Sequence, residues 1–243
     1  MKIKKSILSL MVISMASSVN AIEIAGSDWK GAAEAGAVIT KGNTETKTLN
    51  GKLGFTNERD KWRHHINLEA LKTSGEDANG DESTTAERYL AAGKSDYKFG
   101  KHSYMFGTLQ YEDDRFSGYE YRAIGALGYG QRFINKPHLF LDLAAGPGVR
   151  QSKIKDGDTE NEFILRAAGN LEWKITETTL FSQSLTSDFG EDSTIITSVS
   201  ALAAQIVGNL SMKTSVTLKR VSDVPPGIKK TDGELALTLV YNF

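Results

Sequence analysis

Histidine is the side chain best suited to proton transfer near neutral pH, and the chain carries four: His64, His65, His102 and His138. No serine nucleophile motif accompanies them, and no two stand at a spacing that would offer one strand face as a metal site. Cysteine is absent, which removes disulfides, thiolate metal sites and cysteine nucleophiles. The stretch Asp77-Ala78-Asn79-Gly80-Asp81-Glu82 starts like a calcium loop. It fails at position six, where Glu82 replaces glycine, and at position twelve, where Arg88 replaces a bidentate Glu. With Asp156, Asp158 and Glu160 it suits loose cation binding at a lipopolysaccharide surface, or simply a solvated loop. No cofactor is implied. The remaining chemistry is electrostatic: Lys52, Arg63, Arg88, Lys94, Arg122, Arg132, Arg166, Lys174, Lys213 and Lys219, set against Glu69, Asp96, Asp142, Glu172 and Glu234. What these charges do depends on whether one enclosed face gathers them.

The elements that would gather them are strands. In the last nine residues Leu235, Leu237, Leu239, Tyr241 and Phe243 alternate with Ala236, Thr238, Val240 and Asn242, and successive strand side chains point to opposite faces. Trp62, His64, Ile66 and Leu68 alternate in the same way with Arg63, His65, Asn67 and Glu69. Phe163, Leu165, Leu171 and Trp173 alternate with Arg166, Asn170, Glu172 and Lys174, and Met212, Val216 and Leu218 with Lys213, Ser215, Thr217 and Lys219. Charge at every second position is costly in a sandwich core and natural in an aqueous lumen. The fold expected is all-β: a transmembrane antiparallel up-and-down barrel of about twelve strands. Thr178 to Asp188 and Thr194 to Val207 have mixed faces, so ten strands remain an alternative.

The connections alternate in length. Tight turns are expected near Arg59-Asp60, Gly100-Lys101, Asn135-Lys136, Thr176-Glu177 and Gly208-Asn209, and longer polar loops at Ser74 to Thr84, Gln151 to Glu160 and Ser222 to Thr231. Short periplasmic turns and long outer loops are the signature of bacterial barrels. Trp29, Phe55, Trp62, Tyr97, Phe99, Tyr104, Phe133, Phe140, Trp173, Tyr241 and Phe243 fall at the periplasmic ends, and Tyr111, Phe116, Tyr119, Tyr121, Phe163 and Phe189 at the others, as two interfacial girdles require.

Residues 1–21 read as a secretory signal peptide, with Lys2, Lys4 and Lys5 before an apolar core and Val19-Asn20-Ala21 as the cleavage site. Residues 22–28 are a periplasmic lead-in and 29–243 the barrel. Beyond the amino-terminus no apolar run reaches the roughly 18 residues of a membrane helix. A net charge of -1 lacks the basic footprint of a nucleic-acid partner.

Several stretches together resemble one family, the salt-induced outer-membrane proteins, a largely uncharacterised group of small barrels. They are Trp29-Lys30-Gly31, Glu34-Ala35-Gly36, Gly42-Asn43-Thr44, Tyr111 to Arg122, Gly128-Tyr129-Gly130, Gly146-Pro147-Gly148 and Tyr241-Asn242-Phe243. The resemblance implies an outer-membrane location and expression under salt or osmotic stress, and it implies no catalytic residue or substrate. The terminal strand, Leu235 to Phe243, also resembles the assembly signal that the barrel-assembly machinery reads in such proteins. The expected protein is a monomer exported through the periplasm, in contact with outer-membrane lipid and lipopolysaccharide. Its expected function is a non-catalytic, narrow, anion-favouring pore. The alternatives are a closed structural or interaction barrel of the envelope and, last, a hydrolase.

Overall fold

Alternating patterning of this kind should curl a single sheet until its ends meet, and it does. The computed structural model describes residues 29–40, 46–76 and 82–243. Its strands are β1 (Trp29–Thr40), β2 (Thr46–Glu58), β3 (Trp62–Glu76), β4 (Glu82–Lys98), β5 (Ser103–Asp114), β6 (Tyr119–Lys136), β7 (Leu139–Ile154), β8 (Thr159–Lys174), β9 (Thr179–Gly190), β10 (Thr194–Val207), β11 (Leu210–Val221) and β12 (Thr231–Asn242). Each pairs antiparallel with its sequence neighbours, and β1 closes on β12. The count is therefore twelve. The signal peptide, the lead-in, the Gly42-Asn43-Thr44 turn and most of the calcium-like stretch lie outside the described residues.

Exposure is inverted relative to a water-soluble protein, in which charge lies outside and large apolar groups inside. Leu109, Phe163 and Leu235 are 72%, 81% and 74% exposed, while Asp96 and Arg150 are 0% and 1% exposed. An apolar outer belt around a charged interior is what a transmembrane barrel needs.

The two segments with mixed faces are β9 and β10. Gln183 stands on the outer face between Phe181 and Leu185, and it is satisfied within the wall: its Nε2 donates to Ser198 Oγ at 3.0 Å and its Oε1 accepts from Ser200 Oγ. Local hydrogen bonding lets polar groups sit in the lipid belt. The expected tight turns appear within a residue or two. The loop expected from Gln151 to Glu160 is shorter, because β7 and β8 continue to Ile154 and from Thr159 and leave Lys155–Asp158 as the connection. Tyr104, Tyr119 and Phe140 leave the expected girdles. Tyr104 and Tyr119 are buried on the lumen side, and Phe140 lies 4.3 Å beneath the Arg132 guanidinium.

The lumen-facing glycines of β6 explain Tyr104. A methyl group on Gly130 would run into the Tyr104 ring, and one on Gly128 into Phe106 and into the β7 backbone. Bare backbone there lets the two rings lie flat across it, forming an apolar cluster with Ala126 and Ala144 that fills one side of the lumen. The seam between first and last strands is short. Ala32 to Ala35 pair with Asn242 to Leu239, extended by Gly31 N–H to Phe243 O at 2.7 Å and Phe243 N–H to Gly31 O at 2.8 Å. The Phe243 ring packs edge-on against Phe55 and stacks on Tyr241.

Candidate functional site

Strand parity places all of the expected lumen cations on the inward face, and most meet a carboxylate there. Lys52 pairs with Glu69 at 3.1 Å, Arg88 with Glu234 at 2.8 Å, and Lys94 with Asp96 at 2.9 Å. Arg166 binds Asp188 through two bonds of 2.6 and 2.8 Å. Lys213 pairs with Glu34, and Lys219 with Glu112. Lys174 sits exposed at the rim on the tight-turn side. Arg122 is different. It is 5% exposed, lies 3.9 Å over the Tyr119 ring, and its Nη1 is buried without a hydrogen bond. Among the described residues no carboxylate comes within ion-pair distance of it.

Several partners escape the sequence reading. Glu34 sits in a strand of alanines and glycines whose face is hard to assign. Glu112 belongs to β5, continuing the inward series Phe106, Thr108, Gln110, and that parity was the signal available. Asp188 lies in the mixed segment, and only its register against Arg166 gives its face. Arg150 directly precedes the stretch expected to be a loop, Gln151 to Glu160. It is instead buried within β7, bonded through Nε to Glu162 at 2.8 Å and through Nη2 to Ser193 Oγ at 2.7 Å.

Two of these pairs cross the lumen. Glu112 on β5 and Lys219 on β11 stand six strands apart whichever way one goes round the wall, so their contact spans a diameter. Arg88 on β4 and Glu234 on β12 span four strands. Both bridges lie near the ends of their strands opposite the tight turns, at the mouth that the expected orientation makes the outer one. Above them the β5–β6 connection, Arg115–Gly118, meets the β11–β12 connection, Ser222–Lys230, over the opening. Gly118 has φ +81°, and a methyl group there would stand 2.9 Å from Ile228 Cγ1 and 3.2 Å from Pro225 Cγ. This mouth is thus bridged in two tiers, an apolar loop contact over an ion pair joining the same two walls.

Gly118→Val tests the upper tier. A β-branched residue at positive φ costs about 1–3 kcal/mol, and its side chain would displace Ile228. The expected outcome is trypsin cleavage at Lys229 or Lys230 roughly tenfold faster than in the parent, with the barrel itself still resistant. It is read by limited proteolysis of the refolded protein.

A second cluster lies toward the tight-turn end. Arg63 donates through Nε to Asp96 at 2.7 Å and reaches across to Asp142 on β7 at 3.5 Å. The Tyr104 hydroxyl donates to Asp142 at 2.6 Å, and Lys94 Nζ lies 4.9 Å over the Tyr104 ring. The opposite side of the lumen carries small hydroxyl residues on the inward faces of β9 to β11: Ser182, Ser184, Thr186, Thr197, Ser215 and Thr217. Their short polar side chains leave the space that the rings of Tyr104 and Phe106 occupy elsewhere.

The histidines fall where parity puts them. His65 faces inward, 3.1 Å from Thr56 Oγ1, and His64 faces outward, stacked between Trp29 and Trp62. His102 and His138 lie in turns, where their carbonyls accept the Arg132 and Lys174 backbone N–H groups.

Closed twelve-strand topology, an apolar belt and a charged lumen define a transmembrane β-barrel of the outer-membrane type. The solved structures agree on the fold. The chain aligns with the NanC porin at TM-score 0.53 and 10% identity, over 86% of this chain and 98% of that one. It aligns with the COG4313 outer membrane channel from Pseudomonas putida F1 at TM-score 0.52 and 10% identity, over 89% and 96%. Residues 33–243 match the family described as "Protein of unknown function, DUF481", and the chain belongs to that family. A relative, "Uncharacterized protein YdiY" from Escherichia coli (strain K12), is 28% identical over 215 residues, 88% of this chain and 83% of the relative.

Proposed function

We propose that this protein is a non-catalytic outer-membrane channel, exported through the periplasm and inserted as a monomer, that passes small polar solutes through a narrow lumen and rests closed at its outer mouth. The observation that carries this reading is the Lys219–Glu112 bridge between opposite walls, lying under a loop contact that joins the same walls. The structural neighbours described as a porin and an outer membrane channel support it. Because most lumen charges are paired, the field along the path is weak. Arg122, held without a carboxylate partner among the described residues, tips it toward anions. A role under salt or osmotic stress rests on the family resemblance. The alternating, aromatic-ended β12 suits recognition by the barrel-assembly machinery.

The test is conductance of the refolded mature protein in a planar bilayer under a salt gradient. Discrete small steps with a modest anion preference are expected. Arg122→Glu should move the reversal potential toward cation preference. A folded, heat-modifiable barrel that gives no steps would sink the channel and favour the second reading, a closed structural barrel, for which the bridging of the lumen at both ends is the supporting observation.

A further inference from the structure

The outer surface of the barrel is not uniformly studded with side chains. On its lipid-facing side a groove of about 1010 Å³ crosses β3 to β8, with Trp29, His64, Ile66, Leu109, Leu127 and Phe163 among its lining residues. Its floor includes Gly93 on β4, Gly107 on β5 and Gly125 on β6. None of these glycines has positive φ, so backbone conformation does not demand them. Two of the three have a local reason. A methyl group on Gly107 would lie 3.1 Å from Leu127 Cδ2, and one on Gly125 3.3 Å from Leu109 Cδ2, so each makes room for a leucine of the next strand. Gly93 has none: a methyl group there would meet nothing within 4 Å. Glycine inside a strand weakens it and often marks a bulge, a bend or close approach by a ligand or another backbone, and the register on both sides of Gly93 runs without a bulge.

The ends of the groove differ. Toward the outer side it is bounded by Val149 and Phe163, both apolar and exposed. Toward the periplasmic side it reaches Trp29, His64 and Ser95. The His64 ring is stacked against Trp29 and Trp62, and its Nδ1 shares a hydrogen bond of 2.8 Å with Ser95 Oγ. The Asn57 amide, in register with both Trp29 and His64, is 3% exposed, and its Nδ2 makes no hydrogen bond. The β2–β3 turn directly before Trp62 carries Arg59 and Lys61. An apolar trough that ends in aromatic, polar and cationic groups at headgroup level matches one amphipathic molecule lying along the wall.

We propose that this groove is a phospholipid site. One acyl chain of a glycerophospholipid from the periplasmic leaflet lies over Gly93 between Ile66 and Leu109, and its phosphate-bearing head is at the Trp29, His64 and Lys61 end. The polar end sets the leaflet. Lipopolysaccharide, with its head on the outer side, would place its charge against Val149 and Phe163.

The test uses the full mature protein extracted from membranes in mild detergent, stripped by detergent exchange and reloaded with phosphatidylethanolamine, with bound lipid read by native mass spectrometry. Gly93→Leu fills the trough. Gly51→Leu is the control, an outward strand glycine away from the groove where a methyl group meets only Glu34 O at 3.9 Å. At both positions a Cβ is accommodated without clash. The parent and Gly51→Leu should retain one lipid after dilution, and Gly93→Leu should lose occupancy by about tenfold. Equal retention by Gly93→Leu, equal loss by Gly51→Leu, or membrane-extracted protein carrying lipopolysaccharide in place of phospholipid would each overturn the assignment.

Discussion

Replacing Lys219 and Glu112 together by alanine should raise the unitary conductance by at least roughly twofold, because the two side chains that span the outer mouth are removed and the lumen beneath is already partly clear along β9 to β11. The single variants separate the electrostatic part. Glu112→Ala leaves Lys219, Arg88 and Arg122 converging with Glu234 and Asp114, the register partner of Arg88, as the nearby acids, and stranding buried charge in this way costs about 3–5 kcal/mol. Lys219→Ala is milder, since Arg122 is the register partner of Glu112 and can turn from Tyr119 to face it. The expected stability order is parent, then the double variant, then Lys219→Ala, with Glu112→Ala lowest. Planar-bilayer recording and the temperature of the heat-induced gel shift read the two effects. Unchanged conductance in the double variant would place the constriction elsewhere.

The largest loss of stability is expected from Asp96→Ala. Its carboxylate is completely buried: Oδ2 accepts from Arg63 Nε at 2.7 Å and from Lys94 at 3.3 Å, and Oδ1 lies 2.9 Å from Lys94 Nζ as an ion pair. Without it two cations face the Tyr104 ring with Asp142 as the remaining acid, again at a cost of about 3–5 kcal/mol. Asp96→Asn keeps the shape and one acceptor and should lose less. Urea unfolding in lipid vesicles, followed by fluorescence of Trp62 and its neighbours, measures the difference. A midpoint equal to that of the parent would mean that the Arg63 cluster adds nothing to the fold.

The barrel was legible in the sequence wherever a strand has lipid on one side and charge on the other, as in β3, β8, β11 and β12. It was least legible in β9 and β10, where Gln183, Ser198 and Ser200 satisfy one another on the outer face and erase the contrast that reveals parity. The cations of the lumen were legible for the same reason as the strands. Their partners were less so, because a carboxylate such as Glu112 is paired across a diameter that no local pattern encodes. An excess of basic residues therefore becomes near balance once Glu34, Glu112, Glu162 and Asp188 are counted with the acids. The close approach of Tyr104 and Phe106 to bare glycine was equally hidden, since it depends on register between β5 and β6.

The seam between β1 and β12 sets when the wall can exist at all. Ala32 to Ala35 have no other strand to complete them on that side, and their partners lie in β12, the last of the twelve strands to leave the ribosome. A chain that stops early would be an open sheet with two raw edges, the kind of surface that templates aggregation. Only a chain that includes β12 can hide both edges by joining them, so closure of the wall reports that the twelfth strand is present.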